Sequence, residues 1–167
     1  MPKRLEGRVG LGAALRRGWL GYRRRLDEEL AATGFADHGF PDGRVLRMCT
    51  DPAGTTISQI GRQLGVTRQG ASKIVASLRD RRYVTVSASA TSGREKVVNL
   101  TPRANEFLDA QRRAARGIER ELRVELGQEG FAALYQLLEA LGADEDVRMR
   151  DYLRQHSHLG GVRYLED

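Results

Sequence analysis

Between Thr56 and Thr101 the hydrophobic period switches once, from that of helices to that of strands, and this switch constrains the fold more than any other feature. Thr56-Ile57-Ser58-Gln59 is a capping box: the threonine hydroxyl and the glutamine amide satisfy backbone groups left open at a helix start. Ile57, Ile60 and Leu64 form the apolar stripe of that helix, and Gly65 ends it. Thr67 can cap a second helix, in which Ala71, Ile74, Val75 and Leu78 face inward. After Arg82 the pattern alternates. Val84 and Val86 are interleaved with Thr85 and Ser87, then Val98 and Leu100 with Asn99 and Thr101. The stretch from Ala88 to Glu95 is small and polar with one glycine, so the strands read as a hairpin with a long tip. Two short helices at a tight turn, followed directly by a hairpin, predict a winged helix-turn-helix.

In such a motif the second helix lies in a DNA major groove and the first braces it across the backbone. The inward set leaves Arg68, Gln69, Ser72 and Lys73 on the opposite, early face. Arginine and glutamine can bond base edges bidentately, so Arg68 and Gln69 are expected to read bases. Thr67, Ser72 and Lys73 suit phosphate oxygens, with the helix N-terminus adding its dipole. Arg94 at the hairpin tip is expected in a minor groove, and Lys96 and Arg103 against phosphate. Charge placement agrees. Residues 62–103 hold nine basic side chains and two acidic ones, an excess of seven, whereas the whole chain sums to +6. A local excess of this kind concentrates a polyanion, although a solvated charged surface has the same composition.

The flanks are helical. Leu15, Trp19, Tyr22, Leu26 and Leu30 stripe one helix over about residues 12–33, stopped by Gly34. A loop from Asp37 to Gly43 leads to a shorter helix with Val45, Leu46 and Cys49 inward. Thr101-Pro102 opens a further helix striped by Phe107, Ala110, Ala114, Ile118 and Leu122. Gly127 and Gly130 flank a break, and Phe131, Leu134, Leu137, Leu138 and Leu141 stripe the next segment. Asp144-Glu145-Asp146 predicts a last helix to about Gln155, before a loose tail. The fold expected is mainly α with one two-stranded wing. Its division is a dimerisation helix over 1–34, the winged module over 35–102, dimerisation helices over 103–155 and a tail over 156–167. Leu15, Leu26, Leu30, Leu134, Leu138 and Leu141 are expected at a two-fold contact.

Other chemistry is poorly supplied. With Cys49 the one cysteine, no internal disulfide can form, which suits a reducing cytoplasm. Cys49 lies in an apolar stripe, where thiols are usually inert rather than redox sensors. His38, His156 and His158 lack the count and spacing of a metal site, and no cofactor or metal is expected. Gly10-Leu11-Gly12 follows no strand, so it is a poor dinucleotide loop. No serine, cysteine or histidine arrangement suggests a nucleophile, and no enzyme is expected. The basic start Met1 to Arg8 is followed by no apolar region, which excludes a secretory signal. No apolar run approaches the ~18 residues of a membrane span. Trp19 and Tyr22 either line a ligand pocket or, the reading favoured here, pack a dimer interface.

The residues from Ile57 through Ser72-Lys73-Ile74-Val75, Leu78 to Val84 and Gly93-Arg94-Glu95-Lys96-Val97-Val98-Asn99-Leu100-Thr101-Pro102 resemble the MarR family of bacterial transcriptional regulators. The resemblance covers about residues 12–142. It implies a homodimer bound to a pseudo-palindromic operator as a repressor, with the first and last two helices forming the dimer. It also implies release by a small, often aromatic, ligand. Two positions depart from the family pattern. Ser92 stands where an aspartate usually anchors the wing arginine, and Arg82 stands where a glycine usually shapes the turn into the first strand. Two other classes share the basic patch or the motif: a non-specific architectural nucleic-acid binder, and a protein-interaction module built on a winged helix.

Overall fold

The computed structural model describes residues 10–39, 41–89 and 95–142. The order is α1 (Leu11–Ala32), α2 (Asp42–Met48), β1 (Thr55–Thr56), α3 (Ile57–Leu64), α4 (Arg68–Asp80), β2 (Val84–Ala88), β3 (Lys96–Leu100) and α5 (Pro102–Gly142).

Both helices of the motif start where their caps dictate. The Thr56 hydroxyl accepts from the Gln59 N–H at 3.2 Å, and the Gln59 side chain accepts from the Thr56 N–H at 2.8 Å. The Thr67 hydroxyl accepts from the Gly70 N–H at 3.1 Å. Between them α3 stops at Gly65, whose φ of 69° is left-handed. The two helices cross at Gly61, where an added Cβ would lie 3.3 Å from the Val66 carbonyl and 3.4 Å from the Ala71 Cβ. A side chain there would need its neighbours to give by a few tenths of an ångström.

The sheet holds the expected two-stranded wing, β2 with β3, and adds β1 as a third strand. Its order is β1-β3-β2, all antiparallel, with Thr55 opposite Val98 and Val86 opposite the same residue on the other side. Val98 is therefore central, and it is wholly buried. A two-residue strand carries no alternation to read, and its second residue is also the cap of α3.

One apolar core joins all of this. Leu30 and Phe35, Val45 and Leu46, Ile60 and Leu64, the inward row of α4, Tyr83, Val98 and Phe107 belong to a single cluster. At its centre the rings of Phe35, Tyr83 and Phe107 meet, with Phe107 edge-on to each of the others at 5.5 Å. Each fully buried Leu or Ile here adds roughly 1.5–3 kcal/mol. Thr101 closes the wing onto α5. Its hydroxyl donates to the Arg82 carbonyl at 2.8 Å and caps the Ala104 N–H at 3.3 Å.

Leu30 requires a correction. It is fully buried in this core, so it is unavailable for contact between copies. Leu26 packs partly against the same core. Leu15, Leu138 and Leu141 remain exposed and Leu134 half-buried. The break expected near Gly127 and Gly130 falls at Gly127, with φ 71° and ψ 167°, so α5 is two helical segments. The last predicted helix and the tail lie outside the described residues.

Candidate nucleic-acid interface

Helix α4 has two unlike faces. Ala71, Ile74, Val75 and Leu78 are buried, whereas Arg68, Gln69 and Lys73 are exposed and Ser72 is half-buried. Thr67 lies exposed at the start of the helix and spends its hydroxyl on the cap. The outward residues lie on the first turns, where the free N–H groups and the positive end of the helix dipole favour an anion. The arrangement can place a guanidinium and an amide against base edges while the hydroxyl and ammonium groups face phosphates. Lys96 is exposed at the start of β3, paired across the wing with Ala88. Arg94 and Ser92 lie outside the described residues.

Two cations of the basic segment are bonded to carboxylates within the fold. Arg103, expected against phosphate, bonds both oxygens of Asp37 at 2.9 and 3.0 Å. Its guanidinium lies 4.9 Å over the Tyr83 ring and 5.3 Å over Phe35. Burial acts to raise the Asp37 carboxyl, but the Tyr83 hydroxyl and the Arg103 guanidinium outweigh it and hold the group below its usual range. Arg81 is committed to Asp42, a carboxylate almost fully buried at the start of α2. Charge counting cannot tell a cation that solvates a groove from one that staples the fold. Arg82 behaves otherwise than its side chain suggested. It takes φ 63°, the left-handed conformation, so the turn keeps the shape a glycine would give it.

Residues 40–95 match the family model described as MarR family. The match spans α2 through β2. The fold agrees. A Staphylococcus aureus MepR–DNA complex is similar with a TM-score of 0.64 and 17% identity, over 83% of this chain and 100% of that one. CouR, a transcriptional repressor solved on a 23-mer DNA duplex, is similar with a TM-score of 0.61 and 21% identity, over 80% and 92%. A Mycobacterium tuberculosis MarR-family protein in complex with salicylic acid is similar with a TM-score of 0.56 and 24% identity, over 81% and 98%. No curated protein matches the sequence.

A cavity of about 960 Å³ opens between α1, α2 and α5. Trp19 and Tyr22 line it, stacked at 6.1 Å with their planes 15° apart. Sequence reasoning found those two through the stripe of α1 but preferred them at a dimer contact. It missed the polar wall of Arg44, Arg47 and Gln111. Arg47 donates to the Gln111 amide at 2.5 Å, and burial and the neighbouring Arg44 both lower its affinity for its proton. No periodicity marks such residues, because they sit at polar positions of short or long helices alike.

Cys49 is buried, and burial pushes its thiol up to about 11 against the opposing Thr55 hydrogen bond. His38 bridges locally, with Nε2 2.9 Å from Asp27 and Nδ1 2.5 Å from the Phe35 carbonyl. His156 and His158 are outside the described residues. Among the described residues no helix is long and apolar enough to cross a membrane.

Proposed function

We propose that the protein is a sequence-specific DNA-binding regulator. It acts in the cytoplasm as a homodimeric repressor on a pseudo-palindromic operator, and a small aromatic ligand releases it. The observation that carries this reading is the exposed row Arg68, Gln69 and Lys73 on a helix whose other face is sealed in the core. A helix held in that way can enter a major groove without moving anything else. Relatives of the same fold solved on DNA support the groove contact. The relative solved with salicylic acid, together with the aromatic wall at Trp19 and Tyr22, supports an effector.

The test is a gel shift on the DNA upstream of the protein's own gene, with a scrambled duplex as competitor. Retention on the upstream DNA alone supports the regulator. Equal retention on both points to an architectural binder, and retention on neither rejects the reading. In site selection, Arg68→Ala should relax preference at one position in each half-site, a loss of about 1–3 kcal/mol there. An unchanged preference would place the base contact elsewhere.

A further inference from the structure

Arg81, at the C-terminal end of α4, uses all five of its N–H donors. Nε donates to the Ser77 carbonyl at 3.1 Å, and Nη2 donates to the Ser77 hydroxyl at 3.1 Å. Nη1 donates to the Asp37 carbonyl at 3.0 Å. The last two donors fork onto Asp42: Nη2 reaches Oδ1 at 3.1 Å and Nη1 reaches Oδ2 in a shorter contact. The Asp42 side chain is 5% exposed, and its Oδ2 also accepts the Gly39 N–H at 2.7 Å.

Asp42 stands at a second site as well. It opens α2, and its neighbours Gly39, Pro41 and Gly43 line the cavity that Trp19 also lines. One guanidinium therefore ties the end of the groove-facing helix to the wall of the cavity. A forked arginine–carboxylate pair fixes orientation as well as distance. A buried ion pair is a poor source of net stability compared with apolar packing, so geometry is the property it supplies best.

We propose that the Arg81–Asp42 pair is a positioning device that couples the cavity to the groove. It sets the pitch of α4 against the cavity wall, so a displacement of the wall turns the helix that meets DNA. Arg81 itself has no donor left for a phosphate. The proposal rests on the regulator reading above, and it adds the route by which occupancy of one site is felt at the other.

Bulk electrostatics and coupling predict opposite signs for one variant. Asp42→Asn removes a negative charge, which by itself tightens binding to a polyanion. The coupling predicts weaker binding to the operator duplex, by about 5–150-fold. Arg81→Lys keeps the charge and loses the fork. It should weaken binding in the same way with an unchanged salt slope, and it serves as the test if Asp42→Asn fails to fold by circular dichroism. A purely structural staple would alter melting but not communication. Trp19 is the single tryptophan of the chain and lies on the cavity wall, so its emission reports on that wall. Saturating operator duplex should shift Trp19 emission in the wild type, and Arg81→Lys should lose most of that shift at saturation. The coupling is overturned if folded Arg81→Lys binds as tightly as the wild type and keeps the full emission response. A wild type that binds no duplex overturns the regulator reading instead, and the coupling with it.

Discussion

Arg82 holds a left-handed backbone at the turn from α4 into β2, with φ 63°. For a residue with a Cβ this costs roughly 1–2 kcal/mol, part of which glycine would return as unfolded-chain entropy. Arg82→Gly should therefore stabilise the fold by about 0.5–1 kcal/mol, read as a higher denaturant midpoint at unchanged slope. Its carbonyl accepts the Thr101 hydroxyl, which holds the turn in place against that cost. Cys49 is a second residue whose surroundings decide its chemistry. With its thiol pushed up to about 11, almost no thiolate exists near neutrality. Labelling by an aromatic disulfide reagent at pH 7.5 should be negligible in the native protein and rapid in denaturant. Fast native labelling would restore the case for redox sensing. Arg81 and Arg103 mark the limit of reading such positions from sequence. A cation beside a helix-turn-helix looks like a phosphate contact until its carboxylate partner, 39 or 66 residues away, is placed beside it.

Helices α3 and α4 were legible because each signal is local. A threonine three residues ahead of its backbone partner, an apolar stripe and a terminal glycine all act within one or two turns. Thr56→Ala removes the hydroxyl half of the capping box and should cost about 1 kcal/mol, measured by chemical denaturation. An unaffected midpoint would mean that the Gln59 amide alone suffices. Strand β1 was not legible, because its pairing to β3 is long-range and leaves no periodic trace in two residues. The cavity wall escaped for the same reason. Arg47 and Gln111 meet only when α2 and α5 pack together. The break in α5 was visible as two glycines, but which of them bends is fixed by backbone geometry at Gly127.

For the molecule as a whole, the sequence reading placed six leucines at a two-fold, and the core has taken one of them. Leu30 is sealed inside the protomer, whereas Leu138 and Leu141 remain 44% and 50% exposed near the end of α5, with Leu15 exposed on α1. Apolar side chains left exposed on α1 and on the last turns of α5 favour burial against a second copy. Leu138→Glu should shift the species seen by sedimentation from dimer to monomer and weaken operator binding with it. A variant that stays dimeric would move the contact off this segment. The outer side of α4 has a different consequence. Arg68 and Gln69 contribute nothing to the core, while Gly61 and the inward row admit almost no change. The scaffold can therefore be retargeted: a library randomised at those two outward positions should keep its melting behaviour while its preferred DNA words diverge. On the proposed function, evolution has the same freedom to rewrite address without rebuilding the reader.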